Sequence, residues 1–237
     1  MVSCHIKAMR VQAAYNKWAS TYDAVPNKTR DLEARALQQV LAPLSFASVL
    51  EIGCGTGKNT DWLATRATKV TAVDFSAAML EAAKAKVVNH NIAFQQADIT
   101  TEWDFVTSPA DLITCSLILE HVPNLDLVFQ QASRALRSGG FFYVGELHPF
   151  KQYLGSQARF ETETGRVKIE AFIHHASEYM AAARSNGLAC VEFRELFDDE
   201  GQATTPPPNT GLAFSEAWLM HPRRARAKLN RTKSPGE

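Results

Sequence analysis

The chain has no surplus of charge, no paired cysteines, no long apolar run and no internal repeat, and each absence removes a class of protein. Among its 237 residues, Lys and Arg together number 25 and Asp and Glu together number 25. No chain-wide field therefore draws in a phosphate polymer or an anionic bilayer, and neither nucleic acid nor membrane is expected as a partner. Four cysteines, Cys4, Cys54, Cys115 and Cys190, stand far apart with no C-x-x-C pair. They offer neither a disulfide framework nor a zinc knuckle, and they suit reduced thiols in a cytoplasm. No metal site is expected. The opening "MVSCHIKAMRVQAAYNKW" lacks the continuous apolar segment of a secretion signal, and no stretch reaches the ~18 uninterrupted apolar residues of a membrane span. The expectation is a soluble, unexported, cytoplasmic protein.

What is present is a 46% hydrophobic content, which at ~150 residues per domain is enough for one sizeable core with trimmings. From Ser48 onward, short β-rich runs alternate with helical patterns, the mark of crossover units on a parallel sheet. The strands are read as "SVLEI", "KVTAVD", "IAFQQAD", "ADLITCS" and "FFYVGE". Helices are read from about Gly57 to Arg66, over "SAAMLEAAKAKVV" with Ser76 as cap, and from Asn124 to Arg137 before the stop at Gly139 and Gly140. Arg10 to Leu44 carries two helical patterns, and Leu147 to Phe172 breaks the alternation with a hairpin expected around Gly165. A helix over "ASEYMAAARSNGL" and strands over "ACVEFRELF" and "GLAFSEAWLM" close the unit. The proline-rich "DDEGQATTPPPNT" between those strands reads as a loop, and the basic tail after Pro222 as disordered.

The stretch "LEIGCGTGKNT", Leu50 to Thr60, sets glycines at 53, 55 and 57 directly after the first strand. A P-loop, G-x-x-x-x-G-K-[ST], would need its first glycine at Ile52 and its hydroxyl at Asn59, and fails at both. A dinucleotide fingerprint, G-x-G-x-x-G, would put its third glycine at Lys58, which weakens that reading without removing it. The remaining reading is a nucleoside ligand without phosphates. Alternate glycines let the backbone approach a ligand closely, and the carboxylate of Glu51 would repel a pyrophosphate but favour a cation. Asp74 ends the second strand 21 residues after Gly53, where an acid can accept hydrogen bonds from both ribose hydroxyls. Asp98 closes the third strand, so three acids stand at the carboxyl ends of successive strands, the edge at which open sheets bind ligands.

With "VTAVDFSAAML", "QQAD", "DLITCSLILEHV" and "RALRSGGFFYVGE" following the glycine loop in that order, the sequence resembles the class I S-adenosylmethionine-dependent methyltransferases, in particular the small-molecule branch related to the ubiquinone and menaquinone methyltransferases. The resemblance spans about Tyr15 to Leu219. It implies an α/β fold: a Rossmann-like, doubly wound, mostly parallel seven-stranded sheet with an N-terminal helical cover and a lid insertion after strand 5. The expected divisions are a cover over 1–46, the methyltransferase domain over 47–221 with its lid at about 147–174, and the tail over 222–237. The implied cofactor is S-adenosyl-L-methionine. Glu51, Gly53 and Gly55 would line its methionine end, Asp74 would bind the ribose, and Phe75 and Met79 would flank the adenine. Asp98 with the Ile99 amide would address the adenine edge, and Ser116 and Leu117 would close the pocket beneath the sulfonium. In "YNKWASTYD", Tyr15, Trp18 and Tyr22 share one helix face, which serves packing as well as function; the resemblance makes Tyr22 the candidate hydroxyl near the methionine carboxylate.

If the acceptor is protonated, methyl transfer needs a base. His121, after the fourth strand, and His148, after the fifth, stand at the right sheet edge, with His148 ranked first; either could equally serve structure. "TCSL", Thr114 to Leu117, lacks the Asn/Asp-Pro-Pro-aromatic motif of nucleic-acid amino-methyltransferases, so a free small molecule is the expected acceptor. Phe150, Tyr153, Phe160 and Phe172 in the lid suit an apolar or aromatic one. O-methylation of a hydroxyl or carboxyl group leads, with N- or C-methylation, a nicotinamide oxidoreductase and a non-catalytic cofactor- or RNA-binding module as alternatives.

Overall fold

The computed structural model describes residues 11–162, 165–197 and 214–222. The expected loop between the last two strands, Cys4 and the tail beyond Pro222 lie outside the described residues. Two helices come first, α1 over residues 11–18 and α2 over Lys28–Leu41. The alternating unit then runs β1 (Ser48–Ile52), α3 (Lys58–Arg66), β2 (Lys69–Asp74), α4 (Ala77–Lys86), β3 (Ile92–Gln96), β4 (Ala110–Ser116), α5 (Leu125–Ala135) and β5 (Leu136–Leu147). The segment after β5 holds α6 (Pro149–Tyr153) and the strands β6 (Arg159–Thr162) and β7 (Gly165–Lys168), which pair antiparallel. Helix α7 (Ala176–Ser185) leads to β8 (Leu188–Phe197) and β9 (Phe214–Pro222).

One seven-stranded sheet has the order β3-β2-β1-β4-β5-β9-β8. The neighbours among β1 to β5 are parallel, and β9 inserts antiparallel between β5 and β8. The chain winds outward from β1 to β3 and then crosses back to β4, so the order reverses between β1 and β4. At such a reversal the two crossover loops diverge and leave a crevice at the carboxyl edge.

Local chemistry fixes the helix starts. Asn27 accepts from the Arg30 amide at 3.0 Å, Ser76 from Met79 at 3.2 Å and Asn124 from Asp126 at 2.9 Å, each satisfying a donor that the first helical turn leaves open. Helix α5 stops two residues before the expected Arg137. Leu136 already pairs with Ala110, and the next pair is Phe141 with Leu112, so residues 137–140 bulge from the strand edge. Gly139 (φ 78°) turns that bulge, and a Cβ on Gly140 would fall 2.9 Å from the Asp111 carbonyl oxygen. The two glycines therefore shape a strand entry and not the helix exit, where Leu136 is the C-cap.

The central strands are buried on both faces. Leu112 and Tyr143 pack with Leu37 and Leu41 of α2, while Ile113 and Phe142 pack with Val128 and Phe129 of α5. Each such side chain, fully withdrawn from water, contributes roughly 1.5–3 kcal/mol. A third cluster joins the two covers: Val11 and Trp18 of α1 meet Met79, Phe160 and Ile169. The Trp18 and Phe160 rings stack at 5.2 Å and 15°. Gln12 Nε2 donates to the Phe75 carbonyl at 2.6 Å, and Asn16 Oδ1 accepts from the Ser76 hydroxyl at 2.7 Å. These bonds hold α1 against the turn between β2 and α4.

Candidate active site

The glycine loop is built by backbone geometry. Gly53, Gly55 and Gly57 have φ of 71°, 53° and 80°, in the left-handed region where a side chain is strained. The amides of Gly53 and Cys54 both reach the Val73 carbonyl, at 2.8 and 3.0 Å, which folds the loop back over β2. A Cβ on Gly53 would lie 2.5 Å from the Ile118 side chain, so only glycine lets the loop after β4 approach this closely.

A cavity of about 100 Å³ opens between these loops and the cover. Every position expected to contact a cofactor lines it except Glu51. Tyr22, Gly53, Gly55, Asp74, Phe75, Met79, Asp98, Ile99, Ser116 and Leu117 are all among its lining residues. Asp74 Oδ2 accepts from the Gly55 amide at 2.9 Å and Oδ1 from Ser76 at 2.8 Å, so the carboxyl is oriented by backbone donors. Burial pushes its pKa up to about 6 against those hydrogen bonds. Asp98 Oδ1 accepts the Thr100 amide and hydroxyl at 2.8 and 2.6 Å, closing the turn after β3. Leu117 sits at φ 56°, the described non-glycine residue with positive φ, and its amide reaches the Gly145 carbonyl at 2.8 Å. Strain of this kind persists only where surrounding contacts impose it.

Glu51 lies behind the cavity. Thr60 donates to its Oε2 at 2.6 Å, and burial, reinforced by Glu33 and Asp74, pushes its pKa up to about 8. Its side chain faces α3 because β1 alternates faces along the strand.

Two more acids complete the surroundings. Glu33, buried on α2, accepts from Ser116 at 2.6 Å, Asn59 at 3.0 Å and Tyr143 at 3.2 Å, and burial raises its pKa. Glu146 at the end of β5 accepts the amides of Ile118 and Leu119, at 3.0 and 2.8 Å, and so fixes the loop beneath the cavity. Glu33 had a sequence signal, since a carboxylate at 33 shares a helix face with Leu37 and Val40. Glu146 had none beyond its place at a strand end.

The two histidines separate. His121 lines the cavity, with Nε2 at 2.8 Å from the Tyr15 hydroxyl and Nδ1 at 2.8 Å from the Glu170 carbonyl oxygen. A carbonyl can only accept, so Nδ1 donates to Glu170, and in the neutral ring Nε2 is then the acceptor for the phenol. Burial raises the Tyr15 pKa well above its ordinary value, which keeps that phenol protonated. His148, ranked first from sequence, is not brought to the cavity. Its Nδ1 accepts from the Phe150 amide at 3.1 Å, capping α6, and its Nε2 lies 2.8 Å from Glu195. The helix near Asn124 is capped by Asn124 itself, leaving His121 free of that structural duty.

The seven-stranded order with its reversal between β1 and β4, and a cavity over that edge, defines a Rossmann-like α/β fold. The family model described as "Methyltransferase domain" matches residues 49–140, from β1 into β5. Trans-aconitate 2-methyltransferase of Deinococcus radiodurans is 31% identical over 178 residues, covering 70% of this chain and 67% of that protein. The ubiquinone biosynthesis O-methyltransferase of Nitrosomonas europaea is 29% identical over 140 residues, covering 58% and 60%. The biotin biosynthesis bifunctional protein BioHC of Cellvibrio japonicus is 28% identical over 194 residues, covering 78% of this chain and 36% of that one. The chain thus spans about a third to three-fifths of the length of the last two relatives. The solved structure described as the DhpI-SAH complex superposes with a TM-score of 0.70 at 22% identity, covering 93% of this chain and 99% of that one. The chain belongs to the class I S-adenosylmethionine-dependent methyltransferases, a family of enzymes.

Proposed function

We propose that the cavity binds S-adenosyl-L-methionine and that the protein transfers its methyl group to an oxygen of a small molecule. The observation that carries this reading is a lining that includes the carboxyls of Asp74 and Asp98 and, among the described residues, holds no Lys or Arg. Such a site disfavours phosphate and favours a ligand with a cationic centre and hydrogen-bonding hydroxyls. Phe75, Met79 and Ile99 supply the apolar walls that a purine needs. The cofactor brings an electrophilic methyl on a sulfonium, and the C–S electron pair stays on sulfur when the methyl leaves.

The chain's own share is alignment, exclusion of water and acceptance of a proton. Tyr22 and Tyr15 close the cavity from the cover side. His121 accepts the Tyr15 hydrogen, so a hydroxyl acceptor donating to the Tyr15 oxygen would release its proton along Tyr15 to His121 Nε2. His148 has no such role in this reading. The ubiquinone O-methyltransferase likeness favours oxygen as the acceptor atom.

Calorimetry with S-adenosylhomocysteine and with NADH, followed by labelled-methyl transfer, tests the reading. Tight binding of the first and none of the second is the expected result. The opposite preference would overturn the assignment of S-adenosyl-L-methionine to this cavity.

A further inference from the structure

Beside the first cavity lies a second, of about 440 Å³, a size typical of sites for small organic ligands. Tyr15, Tyr22 and Leu117 line both, so the two adjoin where the cover meets the loop after β4. Their electrostatics are opposite. The second is lined by Lys28 and Arg30 at the start of α2, Lys151 on α6 and Arg159 on β6. Its one carboxylate among the described residues is Glu120, which is buried, whose pKa burial raises, and which accepts from Gln152 Nε2 at 3.3 Å.

Arg30 is held in place by its surroundings. It donates to the carbonyls of Tyr22 and Val25, both at 2.8 Å, and its guanidinium lies 4.0 Å above the Tyr22 ring. Its charge nevertheless stays at the wall. Lys151 and Arg159 come from the segment after β5, so the positive side of this cavity is assembled by the start of α2 and the lid together.

On the reading that the first cavity holds the cofactor, we infer that the second is the acceptor site and that it takes a small organic anion, a carboxylate-bearing molecule held by Lys151 and Arg159. Among the described lining residues, four cations and one buried acid stand in a concave wall, where charge of one sign focuses a potential, and Arg binds carboxylate through paired charge-assisted hydrogen bonds. The acid-lined first cavity and the base-lined second would sort a cationic donor and an anionic acceptor into neighbouring places. The aromatic content of the lid does not set this preference: Phe160 is spent stacking on Trp18, and the wall of the second cavity carries the charge.

The test titrates the protein saturated with S-adenosylhomocysteine with trans-aconitate, malonate and benzoate, and with their methyl esters. At least one acid should bind, with its ester weaker by about tenfold or more. The Lys151→Gln/Arg159→Gln double variant should weaken the acid about tenfold while S-adenosylhomocysteine affinity stays within about twofold. Binding of none of the acids, equal affinity for acid and ester, or an acid affinity untouched by the double variant would overturn the inference. Failure of S-adenosylhomocysteine itself to bind would strike the cofactor reading instead.

Discussion

The Tyr15 hydroxyl and His121 Nε2 stand 2.8 Å apart, and the Glu170 carbonyl on the far side of the imidazole dictates which of them donates. The phenol and the ring therefore act as one unit spanning α1 and the loop after β4, two elements that meet only because the cover folds over the sheet edge.

Removing either half should have the same effect. Tyr15→Phe and His121→Ala are each expected to lower turnover about tenfold, at or below the low end for general-base groups, with cofactor affinity retained. The double variant should be no slower than the worse single one, since coupled groups are non-additive. Losses that multiply to about a hundredfold would show two independent residues, and full activity in both variants would remove them from the chemistry.

Stability should fall as pH rises. Glu51 and Asp74 have pKa values raised to about 8 and about 6, against ordinary carboxyl values near ~4. Between ~5 and ~8 the unfolded chain has lost protons that the folded chain keeps, so these groups make the ligand-free protein less stable with increasing pH. Glu51→Gln keeps the acceptor for Thr60 and should flatten this slope, raising the melting temperature at pH 8 by about 2–4 °C for each kcal/mol recovered. A thermal-shift series with parallel wild-type and variant slopes would contradict the assignment.

Gly53→Ala and Gly55→Ala share the left-handed strain, roughly 1–2 kcal/mol, but only the first adds a clash, with Ile118. Urea melts should show Gly53→Ala less stable than Gly55→Ala by about 1–3 kcal/mol, the usual cost of overpacking. Equal losses would mean that Ile118 yields without cost.

The sheet was legible because its strands are short apolar runs bounded by turn residues and its helices carry clear caps at Asn27, Ser76 and Asn124. Asp74 was legible for the same reason, since it ends a strand, whereas Tyr22, Ser116 and Leu117 rested on the family resemblance alone. What failed was direction. Residue 148 follows β5 as residue 121 follows β4, yet the turn into α6 takes its ring to Glu195 and the helix cap, while His121 is turned inward by Tyr15 and Glu170. Both of those partners are distant in sequence. Glu33 escaped for a related reason: its partners Asn59, Ser116 and Tyr143 come from three other elements. The positive wall of the second cavity is likewise assembled from residues more than a hundred positions apart.

The central claim is that Asp74 addresses the ribose of a bound nucleoside, and calorimetric titration of wild type and Asp74→Ala with S-adenosylhomocysteine tests it most directly. Charged hydrogen bonds to the two hydroxyls are worth about 1.5–3 kcal/mol, so the variant should bind about tenfold to a hundredfold more weakly, with its circular-dichroism spectrum unchanged. Equal affinity in the two proteins would contradict the account.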